Sequence, residues 1–180
     1  MYMKKITIFL LVVVFVVISI PVVKSSERNI VVDKSLHVLF VKNGQSIEEV
    51  IPVSIGSGGE NETPTGVFHL VNKVPDPKWY FGGKVYQPFR EDKENGLGVF
   101  WLPINLPSYG LHGTNEPFSP GFNKSHGCVR MQNGDVLKLA AISYVGEVVE
   151  LREGENTSMG EHLKGIITLY NINYVLSKDN

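Results

Sequence analysis

Apolar and polar positions alternate with a period of two along much of this chain. Residues 29–33 lead through Lys34-Ser35 into residues 36–42, and Asn43-Gly44 then turns the chain toward residues 49–55. Side chains of a strand point alternately to its two faces, and Asn-Gly suits a tight hairpin turn, so this stretch predicts a meander of strands. Residues 56–66 read as a loop rich in Gly, Thr and Pro. Further strands are expected at 67–74, 84–89, 98–103 and 109–113, each rich in Val, Phe, Tyr or Trp and bounded by Gly or Pro. A closing strand is expected at 146–151. One segment has a different period: Asn133 is expected to cap a helix with Asp135 in its first turn and an apolar face of Val136, Leu137, Leu139, Ala140 and Ala141. The pattern therefore predicts a mainly β sandwich or barrel with one substantial helix. In the tail, residues 152–180, Leu163, Ile166, Ile167, Tyr170, Ile172 and Val175 fit a helix or a strand equally.

The first 26 residues depart from that alternation. Lys4 and Lys5 precede an uncharged apolar run, residues 6–23, which is followed by Ser25 and Ser26. This reads either as a secretory signal peptide or as an uncleaved membrane anchor, and both place residues 29–151 outside the cytoplasm. The membrane is met only through this segment. Seventeen Lys and Arg against eighteen Asp and Glu leave a net charge of −1. The basic residues are scattered and form no stripe for a phosphate backbone, which argues against nucleic acid as a partner. A single cysteine rules out an intramolecular disulfide. An exported lone thiol is a liability unless it is used; the plain alternative is a buried cysteine acting as a small hydrophobe.

The chemistry concentrates in residues 109–131, YGLHGTNEPFSPGFNKSHGCVRM. A cysteine nucleophile needs a base for its proton and nearby N–H groups for the oxyanion formed when it attacks a carbonyl. Cys128 has His112 and His126 to draw on. Gly127 directly before it permits a tight turn that aims successive N–H groups at one oxygen. His112 sits at a strand end, where it is held rigidly beside a loop, and His126 points the same way as Cys128 if that segment is extended. Zinc is disfavoured, because structural zinc takes four ligands and no second Cys or paired His is present; no metal or cofactor is expected.

These residues resemble the L,D-transpeptidase catalytic domain, also called the YkuD domain. The resemblance rests on His112-Gly113-Thr114, then Ser125-His126-Gly127-Cys128-Val129-Arg130-Met131, and on the upstream loop Thr63-Pro64-Thr65-Gly66. It covers residues 29–151. It implies a cysteine enzyme that attacks the carbonyl before the terminal D-Ala of a peptidoglycan stem tetrapeptide, releases D-Ala and holds a thioester. A side-chain amine of a neighbouring stem then forms a 3-3 cross-link; water in its place would give a carboxypeptidase, and a third alternative is an idle wall-binding domain. The resemblance makes Cys128 the nucleophile and His112 its base, oriented by a backbone carbonyl near Gly113. His126, Gly127 and Cys128 would line the oxyanion pocket, with Ser125 as a loop hydrogen-bonding residue. Arg130 would hold the loop or the donor's carboxylate, against the plainer reading of an exposed surface arginine. Carbapenem-type β-lactams would acylate the same thiol. Trp79, Tyr80 and Trp101 are expected in the core rather than as a platform for substrate, because aromatic residues dominate the cores of small β domains.

Overall fold

A computed structural model of the chain describes residues 28–154 and 157–177. The apolar N-terminal run lies outside the described residues. In chain order the strands are β1 (Arg28–Asp33), β2 (Val38–Asn43), β3 (Ser46–Pro52), β4 (Ile55–Gly56), β5 (Gly66–His69), β6 (Val74–Pro75), β7 (Trp79–Phe81) and β8 (Lys84–Tyr86). They continue as β9 (Phe100–Pro103), β10 (Gly110–His112), β11 (Asn123–Ser125), β12 (Val129–Arg130) and, after helix α1 (Asn133–Ile142), β13 (Val148–Arg152). Helix α2 (Thr157–Leu176) closes the described chain and settles the tail as helical.

The expected mainly β architecture is what forms. The meander β1 to β3 belongs to a five-stranded sheet ordered β3-β2-β1-β13-β5, with β13 returning parallel to β1. A second sheet, β12-β10-β9-β6, packs against it. Alternation sends Ile30, Val32, Leu39 and Val41 of the first sheet and Leu102, Leu111 and Val129 of the second into one core, closed by Val136 and Leu139 of α1. Each such side chain, fully buried, contributes roughly 1.5–3 kcal/mol of hydrophobic stabilisation.

Helix α1 begins where the sequence places it but is capped differently. Gln132 occupies the N-cap but its side chain does not cap the helix, and Asn133 is already helical. The Asn133 amide turns outward instead: its Oδ1 accepts from the backbone N–H of Thr114 (3.0 Å) and its Nδ2 donates to the Thr114 carbonyl (2.8 Å). The unsatisfied N–H of Gly134 donates to the Tyr174 hydroxyl of α2 at 2.9 Å.

Helix α2 is fastened by polar side chains. Asn171, 1% exposed, donates to the Pro120 carbonyl at 2.9 Å and accepts from Gln132 Nε2 at 3.0 Å. The Tyr170 hydroxyl donates to Asp135 at 2.6 Å. Replacing Asn171 with Ala strands buried partners, so Asn171→Ala should lower unfolding free energy by about 1–3 kcal/mol in urea denaturation, and an unchanged midpoint would detach α2 from the domain.

Candidate active site

The register of two short parallel strands assembles the site. β10 pairs with β12 so that Leu111 lies beside Val129 and His112 beside Arg130. Leu111, Val129 and Met131 are core residues. With a side-chain period of two, Gly110, His112, Cys128 and Arg130 must therefore share the opposite face. Trp101 of β9 stands opposite His112, completing a row of Trp101, His112 and Arg130 across three strands. Gly110 has to be bare: a Cβ there would sit 2.6 Å from the Leu102 carbonyl oxygen and 2.7 Å from the Trp101 ring. His112, Cys128, Arg130, Ser108, Ser125 and His126 face one cleft of about 280 Å³.

His112 is buried and its ring is pinned. Nδ1 donates to the carbonyl of Gly113 at 2.6 Å; a carbonyl can only accept, so the proton sits on Nδ1 and the neutral tautomer leaves Nε2 basic. Burial, then the Arg130 cation, push its pKa down to about 3 against the backbone hydrogen bonds at Gly113 and Gly96. Cys128 is half-buried. Its Sγ–H donates to the carbonyl of Ser108 at 3.4 Å, and among the described residues no hydrogen bond joins Sγ to the His112 ring. Ser108 has φ of +69°, a backbone conformation that non-glycine residues rarely adopt. Burial pushes the thiol up to about 11, opposed by the Gly110 N–H and by Arg130.

Arg130 is not a surface arginine. It is buried, and Nη1 meets Glu116 Oε2 at 2.7 Å, while its Nε is buried without a hydrogen-bond partner among the described residues. The strand alternation that buries Met131 and Val129 forces it into the cleft wall. The Ser125 hydroxyl donates to the Cys128 carbonyl at 2.6 Å and accepts from the Gly127 N–H at 3.1 Å, as a loop hydrogen-bonding residue should. The Gly127 N–H is thereby occupied. The Cys128 N–H meets no acceptor among the described residues. Gly127 has φ of +110°, which favours glycine.

The aromatic residues correct the sequence expectation. Trp79 and Tyr80 do not enter the core: they belong to the β7-β8 hairpin, a separate two-stranded sheet turned by Gly82-Gly83. Without a third strand to carry it inward, the hairpin stacks its own rings. Trp79 and Phe81 lie 4.8 Å apart and nearly parallel, and Phe81 reaches the exposed ring of His126 at 4.8 Å. Tyr80 is 71% exposed. Trp101 is half-buried and packs 5.7 Å from His112. The hairpin thus forms a wall of the cleft.

A family model described as the L,D-transpeptidase catalytic domain, YkuD, matches residues 27–151. The chain belongs to this family. It is 42% identical over 91 residues to the putative L,D-transpeptidase YkuD of Bacillus licheniformis, covering 51% of this chain and 45% of that protein. It is 31% identical over 137 residues to the putative L,D-transpeptidase YqjB of Bacillus subtilis, covering 73% and 74%. The chain spans about half the length of the YkuD relatives. The fold matches that of the LD transpeptidase LdtMt1 in complex with imipenem, with a TM-score of 0.57 at 18% identity over 71% of this chain and 59% of that one.

Thiol and imidazole are both neutral around neutral pH in this L,D-transpeptidase fold. An unfolded histidine binds a proton near 6.5 while folded His112 resists until about 3, so the unfolded chain holds more protons between those values. The stability that His112 contributes is fully present above about 6.5 and is lost as pH falls toward 3. Thermal unfolding midpoints should drop from about pH 7 to about pH 4, with a shallower slope in His112→Asn. Alkylation of Cys128 by iodoacetamide should be slow near neutrality and rise with a midpoint near 11; a plateau below about pH 7 would mean a preformed thiolate–imidazolium pair.

Proposed function

We propose that this protein is a peptidoglycan L,D-transpeptidase with Cys128 as nucleophile and His112 as general base. The observation that carries the reading is the shared face: register puts the chain's lone thiol and a tautomer-fixed buried histidine into one cleft, beside a Cys128 N–H with no acceptor among the described residues. In the first half-reaction Sγ bonds the carbonyl carbon before the stem's terminal D-Ala as its proton passes to His112. The carbonyl oxygen takes the negative charge and accepts a hydrogen bond from the Cys128 N–H. The tetrahedral species collapses, the C–N bond breaks, and D-Ala leaves with the proton from His112. In the second half-reaction the side-chain amine of another stem attacks the thioester, and the thiol re-forms as the 3-3 cross-link closes.

Because the resting pair is neutral, base and nucleophile act together during attack rather than through a standing thiolate. Negative charge growing on the substrate oxygen offsets the Arg130 cation and raises the proton affinity of His112 as the reaction proceeds. Arg130, held by Glu116, keeps the loop in place. Lys4, Lys5 and the apolar run 6–23 support export, so the substrate is reached outside the cytoplasm. The imipenem complex of a structural neighbour supports carbapenems as acylating probes.

Intact-protein mass spectrometry is the test. The wild-type domain with imipenem should gain one acyl adduct, and Cys128→Ser should gain none while turnover of a defined muropeptide tetrapeptide falls roughly a hundredfold or more. Cross-linked dimers in the wild-type digest support the transpeptidase; tripeptide alone makes the enzyme a hydrolase. An adduct that persists in Cys128→Ser removes Cys128 from the mechanism.

A further inference from the structure

The upstream loop of the family motif supplies a hydroxyl whose only proton has a single destination. Thr63 is fully buried. Its Oγ1 accepts from the backbone N–H of Gly56 at 2.8 Å and lies 2.9 Å from the carbonyl oxygen of Gly127. An N–H can only donate and a carbonyl can only accept, so the Thr63 hydroxyl must spend its one proton on Gly127. The loop reaches this position because residue 56 is glycine: a Cβ there would overlap the Asn61 carbonyl. From behind, the buried Lys34 donates to the Thr63 carbonyl at 2.8 Å and pairs with Glu153. Thr63 is thus fixed on both its side chain and its backbone.

The peptide that Thr63 grips joins Gly127 to Cys128. In a trans peptide the carbonyl and the following N–H point in opposite directions. With the Gly127 oxygen drawn toward buried Thr63, the Cys128 N–H is turned the other way, toward the cleft, where it meets no acceptor among the described residues. Gly127 at φ +110° has no side chain to hold this peptide in one orientation, so the hydrogen bond from Thr63 is what fixes its carbonyl.

We infer that Thr63 is a positioning residue for acylation: its hydroxyl locks the Gly127–Cys128 peptide with the Cys128 N–H aimed at the oxyanion. Thr63 touches no substrate and acts only through that peptide. The inference rests on Cys128 being the acylated nucleophile. It separates two properties of the same thiol, because alkylation by iodoacetamide displaces iodide without forming an oxyanion, whereas acylation by a strained amide passes through one.

Thr63→Val, which replaces the hydroxyl by a methyl of similar size, should slow imipenem acylation of Cys128 roughly 10–100-fold while leaving iodoacetamide alkylation within about twofold of wild type. Thr63→Ser should restore acylation, and in tetrapeptide turnover the loss should fall on kcat rather than KM. Thr63→Ala provides the same comparison if valine prevents folding, with circular dichroism confirming the fold of each variant. An adduct forming as fast in the folded variants as in wild type overturns this inference alone. Parallel losses of acylation and alkylation overturn it too, since they mean a disordered site. No adduct on wild type overturns the assignment of Cys128 and this inference with it.

Discussion

Everything in the cleft depends on how two short strands lie side by side. β10 and β12 are parallel and in register, with Leu111 beside Val129 and His112 beside Arg130. The hydrophobic demand of Leu111, Val129 and Met131 for the core leaves His112, Cys128 and Arg130 no choice of side. A slip of one residue would turn the histidine inward and the leucine outward. The core therefore does more than stabilise the domain: it sets the face on which the chemistry occurs. The bare Gly110 belongs to the same constraint, since a Cβ there would press on the Leu102 carbonyl and the Trp101 ring of the neighbouring strand.

The same row governs the electrostatics. Arg130 lowers the proton affinity of both neighbours, so its charge favours a thiolate and opposes an imidazolium. Burial acts the other way on the thiol and with Arg130 on the histidine. The result is two neutral groups, which under the proposed export would suit the thiol, because the thiolate is the form that oxidises and alkylates. Under the proposed reaction the missing drive comes from substrate, whose developing negative charge lies between a cation and a base. Glu116 tempers Arg130 from the solvent side and holds it without filling its buried Nε.

Much of this was legible in the residues. Period-two alternation located the sheets, and a helix after the cysteine followed from Val136, Leu139 and Ala140. The resemblance carried by the motif around His112 and Cys128 marked the cleft, where the same residues taken singly left a structural reading open. What escaped was set by tertiary choice. Trp79 and Tyr80 carry a core-like composition, but among the described residues their hairpin pairs with no third strand and stays out of the core. Asn133 has the chemistry of a cap yet finds Thr114 first. Arg130 could be read as a residue holding the loop or as an exposed arginine, and only strand pairing decides for burial. Thr63 showed itself only as part of a motif, since nothing in Thr-Pro-Thr-Gly says which carbonyl its hydroxyl will meet 64 residues later.

Helix α2 lies beyond the segment that the family model matches, yet its polar contacts lead back to the cleft. Asn171 binds Gln132, and Gln132 donates to the Pro117 carbonyl at 2.5 Å. Pro117 follows Glu116, the carboxylate that holds Arg130. Each link is a hydrogen bond or a peptide bond, and three of the residues along it, Asn171, Gln132 and Arg130, are buried where water cannot take a partner's place. The helix thus fixes the loop that carries Glu116, and the loop fixes the guanidinium in the wall of the cleft. A segment outside the matched domain therefore contributes to the geometry of the site through buried amides, beside the apolar contact of Ile167 with Gly121.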